Sequence, residues 1–495
     1  MADAMESSEN HEEQKTALQS KNDTPKRPPF SALHEVFFVA TIASAQILTQ
    51  AGLGQAIAPL HIVGAHYGIT NPGQLSWQVA AYSLTVGTFI LVAGRLGDIN
   101  GHKNMFILGY VWTALWALLA GASYYSTDIF FNVCRGFQGI GPAFLLPNAL
   151  AILGRTYPEG KRKNIIFSLF GACAPGGFVL GAAFSGLFAQ LAWWAWAYWV
   201  MAIVCALMAA ISYWIIPKDD IDEDDKGTTK AERFDFAGAV TGVAGLVFVN
   251  VAWNEGPRVG WGTPYVYVLL IVGLLTLVAF GYLEARMATR PLVSIKAFSG
   301  TTGFVLACIA AGWSSFGIWI FYIWQFLQEL RGVSPLLGAA QVVPAAVSGF
   351  IAALTTGYLM THMPTPYIMV LAMLAFCVGT VIVATMPVEQ TYWAQSFVSF
   401  VVIPWGMDMS FPAATLILSA SVPREHQGVA ASLVNTVVNY SISIGLGIAG
   451  TVASRVDPDG RALLDGYRSA WYTGIGLSGV GVMIALCGAW FQRRR

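Results

Sequence analysis

Sorting the 27 acidic residues by surroundings leaves one carboxylate deep in an apolar stretch: Asp408, in the run Pro404-Trp405-Gly406-Met407-Asp408-Met409-Ser410-Phe411-Pro412. The chemistry open to an isolated carboxyl in such surroundings is proton exchange, since it can be neutral in one arrangement and charged in another. Its flanking prolines stand at i−4 and i+4; Pro412 cannot donate to the carbonyl of Asp408, and Pro404 leaves residue 400 unpaired. A broken helix is therefore expected there, where an interior site is readily built. A structural carboxyl hydrogen-bonded across a helix interface is the competing reading. Arg135, in Arg135-Gly136-Phe137-Gln138-Gly139-Ile140-Gly141, is the second titratable group placed inside an apolar stretch. A cation at mid-bilayer costs about 2.5–3.5 kcal/mol unless it meets a partner or water. Its nearness to Asp128 leaves open a residue that snorkels toward the surface.

The other candidates are neutral. Ser315, Trp319 and Tyr322 recur at helical spacing, with Gln325 one turn further. Aromatic rings with hydroxyl and amide tips suit neutral or weakly cationic small molecules, and a stripe against lipid is the alternative. Asn435 and Asn439 stand one turn apart on one face, as cavity ligands or as glue between helices. Trp405, beside Asp408, joins the binding candidates. The segment Gly94-Arg95-Leu96-Gly97-Asp98-Ile99-Asn100-Gly101-His102-Lys103 packs charge and glycine into a hairpin between apolar stretches. Such a hairpin suits helix ends that touch a neighbouring bundle and later part from it. Its candidate gating residues are Gly94, Arg95, Gly97, Asp98, Gly101, His102 and Lys103.

The elements that position these residues follow from composition. Hydrophobic residues make up 56% of the 495 and charged ones 11%, with mean hydropathy +0.59, against roughly 25% charged in a soluble domain. Water-facing surface cannot be covered from that supply, so the partner is a lipid bilayer. Lys+Arg and Asp+Glu balance at 27 each, which points away from nucleic acid. The six cysteines fall inside apolar stretches with no C-x-x-C spacing, and no G-x-x-x-x-G-K-[ST] loop occurs; no cofactor or metal is expected. Fourteen stretches approach the length needed to cross about 30 Å of hydrocarbon, the first Val36 to Ile62, the ninth Thr302 to Leu327 and the twelfth Ala394 to Ser419. They are expected to be helices, giving an all-α membrane protein.

Placing the amino terminus inside assigns 21 of the 27 Lys and Arg to one face and five to the other, with Arg135 within a span. By the positive-inside rule both termini are cytoplasmic. Residues 1–35 read as a disordered cytoplasmic tail and 217–235 as an acidic cytoplasmic loop.

Trp77-Gln78-Val79-Ala80-Ala81-Tyr82-Ser83-Leu84-Thr85, Gly94-Arg95-Leu96-Gly97-Asp98 and Gly101-His102-Lys103 together resemble the second helix and following loop of the major facilitator superfamily, in its fourteen-span drug:proton antiporter branch. The resemblance implies two six-helix halves, 36–216 and 302–491, with two inserted helices at 236–282. It implies that Asp98 helps latch the halves on the cytoplasmic side and that Arg135, followed by Gln138-Gly139, is linked to proton movement. Gly171, Pro175, Gly176, Gly177, Gly181 and Gly186 resemble the antiporter motif of the fifth helix, with Ala174-Pro175 where the family has Gly-Pro. A further departure is in the first helix, where the family's aspartate, nine residues before a proline, is Gln50, counted back from Pro59; we take Gln50 as a neutral ligand. The run Val422 to Ser441, with Trp405 to Pro412 before it, resembles fungal aminotriazole-resistance and boron-exporter carriers, which have ammonium-carrying relatives.

The leading expectation is proton-coupled export of small toxic or metabolite solutes by alternating access, with Asp408 and Arg135 handling the proton. A membrane potential of about 100 mV supplies about 2.3 kcal/mol per charge, roughly fiftyfold accumulation. The second reading is an uncoupled or weakly coupled facilitator for ammonium or borate, which the missing first-helix acid favours. A transport-dead sensor and an intramembrane enzyme rank below both. The partners expected are a small-molecule substrate and protons, with the protein acting as a monomer in the plasma membrane, the vacuolar membrane being the alternative.

Overall fold

The computed structural model describes residues 31–69, 72–158, 160–218, 234–288, 291–292, 300–421, 427–458 and 460–493. Most of the tail expected at 1–35, most of the loop expected at 217–235, and the segment Val422 to His426 lie outside the described residues. Within the described residues there is no strand, and fourteen helices are long and apolar enough to cross a membrane. The first six are α1 Ala32–Ile57, α2 Trp77–Asn100, α3 His102–Ala122, α4 Asp128–Thr156, α5 Lys161–Leu191 and α6 Ala195–Ile215. Then come α7 Phe236–Val259, α8 Pro264–Arg286, α9 Gly300–Gln325 and α10 Pro335–His362. The last four are α11 Thr365–Ala384, α12 Gln395–Ser421, α13 Gln427–Val456 and α14 Leu463–Arg493. Helices form because a chain in hydrocarbon must satisfy its own backbone.

Prolines decide where the boundaries depart from expectation. The first span, expected to reach Ile62, stops at Ile57, since Pro59 has no N–H to give to the preceding turn. The chain then resumes as a short helix, Leu60–His66. This takes His61 out of the span and onto the face opposite the Gly101 hairpin; that face is the outer one in the charge assignment. The ninth helix is prolonged by a π-helical turn, Phe326–Leu330. The break expected in the twelfth does not occur: α12 runs unbroken through Pro404 and Pro412. Beside the break-prone turn, Ser348 Oγ of α10 donates to Val401 O at 2.6 Å, one residue past the carbonyl that Pro404 leaves without its helical donor.

Helices α1–α6 pack on one another and α9–α14 do likewise, while α5 against α10 and α2 against α13 join the two sets. Gly177 and Gly181 bring α5 onto α1: a Cβ on Gly177 would stand 2.8 Å from Ile47 Cα, and one on Gly181 2.5 Å from Ala51 Cα. The inserted α7 and α8 pair with each other, and α7 leans on both α13 and α2. A small polar clamp fixes α7 to α13: Ser443 Oγ donates to Asn250 Oδ1 at 2.8 Å and Asn254 Nδ2 donates to Ser443 Oγ at 3.2 Å. Tyr440 OH donates to Leu246 O at 3.0 Å in the same seam.

Candidate functional site

Three helices converge on Asp408. A Cβ built on Gly349 of α10 would stand 2.7 Å from Asp408 Oδ2 and 2.8 Å from Pro175 Cγ of α5, so the carboxyl and the fifth-helix proline crowd one face of Gly349. Asp408 as a whole is half-buried, yet its Oδ2 is enclosed without a hydrogen-bond partner. The interface hydrogen bond of the competing reading is therefore absent at that oxygen. A buried acceptor without a donor is an uncommon and costly feature, and it is completed by whatever brings an N–H or O–H to it. Pro175 belongs to the first six helices and Gly349 to the last six, so Asp408 sits beside the seam between the halves.

Arg135 is fully buried rather than snorkelling. Its Nη2 donates to Gly52 O of α1 at 2.7 Å, its Nη1 to Gln138 Oε1 at 2.6 Å and its Nε to Gln78 O of α2 at 3.2 Å. The guanidinium carbon lies 4.6 Å from the Tyr82 ring centroid. Carbonyls, an amide and an aromatic face thus replace the missing counter-ion, and Arg135 ties α1 and α2 to α4. It approaches neither Asp408 nor any other described carboxylate closely enough for an ion pair.

The ninth-helix stripe shares one face, as the spacing requires, but that face turns into the C-terminal half instead of toward lipid or an open path. Ser315 Oγ meets Thr380 Oγ1 of α11 at 3.1 Å, and Trp319 Nε1 donates to Ser399 Oγ of α12 at 2.7 Å. The Tyr322 ring lies 5.7 Å from that of Tyr467 on α14, and Gln325 is buried beside His61. In this arrangement Ser315, Trp319 and Tyr322 pack within the C-terminal half, because helical spacing selects a face without saying which neighbour the face meets. Gln50, Trp405, Asn435 and Asn439 are half-buried. Asn439 lies at the α2–α13 seam, where a Cβ on Gly87 would stand 3.1 Å from its Cβ, and its Nδ2 donates to Asn435 O at 3.0 Å.

In the hairpin, Gly101 has φ +91°, a conformation that only glycine adopts cheaply, and there α2 turns into α3. His102 Nδ1 donates to Asn148 Oδ1 of α4 at 2.7 Å, and Lys103 Nζ donates to Tyr213 O of α6 at 2.8 Å and also to Ile216 O. Gly97 lies against Asn148 and His102, and Gly94 against Pro147. Asp98 is half exposed, 3.9 Å from Arg95 Nη1 and 3.5 Å from His102 Nε2. The described contacts of the hairpin are thus made chiefly inside the first half; a Cβ on Gly94, 3.7 Å from Ser432 Oγ, marks where α13 comes near.

Among the described residues, polar contacts across the halves lie at the face opposite the hairpin, the outer one in the charge assignment. His61 Nδ1 lies 3.0 Å from Glu329 Oε1, Gln328 Nε2 donates to Ala58 O at 2.7 Å, and Leu336 N donates to Gln190 Oε1 at 2.9 Å. The sequence reading did not single these residues out; His61 was hidden by a span drawn through Pro59, and Glu329 by its place just past an expected helix end. A separate cavity of about 610 Å³ opens on the flank between α2, α4 and α7, walled by Trp77, Leu84, Phe89, Ile129 and Phe137 and edged by Glu255 and Arg258. It lies away from Asp408. No group of three His, Cys, Asp or Glu able to hold a metal occurs among the described residues.

Comparisons with known proteins agree with this architecture. A crystal structure of the peptide transporter POT in complex with sulfate matches with TM-score 0.66 at 13% identity, over 92% of this chain and 94% of that one. The low affinity ammonium transporter of Saccharomyces cerevisiae is 62% identical over 95% of this chain and 92% of its own length. Efflux pump terJ of Aspergillus terreus is 46% identical over 98% of this chain and 94% of its own. The Major Facilitator Superfamily profile matches residues 37–365 and 304–495. With its fourteen helices, its Gly101 hairpin and its two sets of six joined through α5–α10 and α2–α13, the chain belongs to the Major Facilitator Superfamily.

Proposed function

We propose that the protein moves a small polar solute of the ammonium class across the plasma membrane, with Asp408 exchanging a proton as the two halves rock around it. The observation that carries this reading is the enclosed, partnerless Oδ2 of Asp408 beside the inter-half seam. A proton completes that acceptor, and so does the N–H of an ammonium ion, which suits one carboxyl serving solute and proton in turn. The relative with 62% identity, named for ammonium, supports the substrate class and moves this reading ahead of export of larger compounds. The Lys and Arg distribution supports a cytoplasmic side for both termini.

Proton-coupled export of toxic or metabolite solutes is the second reading, favoured by the 46% identity to an efflux pump. Purified protein in proteoliposomes separates the two. Methylammonium flux that follows an imposed pH gradient and is lost in Asp408→Asn supports the proposal. Flux that ignores the gradient makes the protein an uncoupled facilitator, and no methylammonium flux alongside gradient-driven extrusion of aminotriazole or a fungal metabolite selects export.

A further inference from the structure

The outer contact between His61 and Glu329 joins the halves through groups that belong to no helix core. His61 lies on the short helix after Pro59, and Glu329 on the π-helical turn that ends α9. Turns of that width are uncommon and recur at functional positions. Tyr467 of α14 donates its hydroxyl to Glu329 Oε2, so one carboxylate oxygen is held by its own half and the other faces the imidazole of the opposite half.

The surrounding groups define what the imidazole can be. Arg331, two residues beyond Glu329, is committed elsewhere, to Val388 O, Ser396 Oγ and Pro387 O at 2.8, 2.9 and 2.9 Å. Tyr322 and Asp457 act on the Tyr467 side of the carboxylate, and Arg468 follows Tyr467 in the chain with a buried Nε that has no hydrogen-bond partner. Gln325 lies by the ring, and on the His61 helix itself His66 is bonded away, to Tyr124 O at 2.8 Å. His61 Nε2 is buried with no hydrogen-bond partner. The neutral tautomer with its proton on Nδ1 fits: it donates to Glu329 and leaves only a lone pair enclosed. An imidazolium would enclose an N–H that makes no hydrogen bond in this arrangement, at a cost typical of a buried unmade donor. Attraction to Glu329 and the side chain of Gln325 beside the ring oppose this, but burial is the larger influence and holds His61 below its ordinary 6.5.

We propose that His61 and Glu329 form a second proton site, an outer latch in which the neutral imidazole of the first half clasps the carboxylate of the second, and which protonation from the outer compartment releases. The site is independent of Asp408, which lies within α12. The sign follows from linkage: a proton binds better to the opened, solvated imidazole than to the clasped one, so acid favours opening.

Hydrogen exchange read by mass spectrometry on the full chain in lipid nanodiscs tests this, at about pH 7.5 and about pH 5.5 with labelling times scaled for intrinsic exchange. In the wild type, uptake in segments 58–69 and 326–334 is expected to rise at the lower pH. His61→Asn, which keeps a donor but does not titrate, is expected to lose that rise, and Glu329→Gln to show raised uptake at both values. Tyr467→Phe, which removes a contact inside one half only, is expected to keep the pH response. Equal wild-type uptake at the two values, or a wild-type response surviving in His61→Asn, overturns the proposal; if Glu329→Gln does not fold, the His61→Asn comparison decides alone.

Discussion

Arg135 is a cation enclosed without a counter-ion, and its neighbours show how a membrane interior tolerates one. Two backbone carbonyls, a glutamine side chain and a tyrosine face take its donors and its charge. The planar fork matters as much as the charge. Arg135→Lys is expected to lose at least one of the three hydrogen bonds, at about 1.5–3 kcal/mol for each bond to a charged group, with Arg135→Ala worse; thermal unfolding of the purified protein measures both. At Asp408 the expectation differs, because the group is poised rather than satisfied. Asp408→Asn is expected to preserve the fold while lowering gradient-driven accumulation at least tenfold, roughly 1.4 kcal/mol or more of lost coupling, and vesicle transport assays check it. Arg135 and Asp408 were both legible as unusual, since ionisable groups are rare in apolar stretches. Their partners were not, because Gly52, Gln78, Pro175 and Gly349 come from four other helices.

Helices in this protein sort by what faces them, not by how greasy they are. The span of α8 has mean hydropathy 2.5 yet is only 11% buried, whereas that of α9 has 1.9 and is 78% buried. Lipid is as apolar as leucine, so an outermost helix gains by being greasy and a central one is free to carry Trp, Ser and Tyr in pairs. Where helices must touch, glycine decides. Gly181→Leu would drive a side chain into the backbone of α1 at Ala51, and an overpacking cost of about 1–3 kcal/mol is expected, seen as a lower unfolding temperature with little change at a lipid-facing control such as Leu275→Ala. The clamp of Asn250 and Asn254 with Ser443 predicts a measurable coupling. A double-mutant cycle of Asn250→Ala and Ser443→Ala is expected to give about 0.6 kcal/mol, and not above about 1.7 kcal/mol, as for other hydrogen bonds within membranes. A coupling of zero would mean that the Asn250–Ser443 hydrogen bond adds nothing to holding α7 on α13.

For the molecule as a whole, described polar contacts that bridge the halves run through His61, Gln328 and Gln190 at the face opposite the Gly101 hairpin, the outer one in the charge assignment. The two faces must alternate if solute is to pass, so the arrangement seen is one with its outer face fastened. Burial lowers the pKa of His61 from 6.5, so closure is complete above that value and weakens as outer pH falls through the lowered one. Solute exchange limited by outer opening is therefore expected to quicken as the outer solution is acidified, and to lose that dependence in His61→Asn; stopped-flow flux across vesicles checks it. The sequence by itself determined the number of spans, the charge bias between faces and the isolation of Asp408, because the absence of water imposes those on any chain and leaves them written in composition. Only the tertiary structure decided that α12 stays helical through two prolines, that Ser315, Trp319 and Tyr322 turn inward to α11, α12 and α14, and that His61 meets Glu329. The reason is one of range: hydropathy is a local property, whereas a face finds its partner only when helices far apart in the chain are packed together.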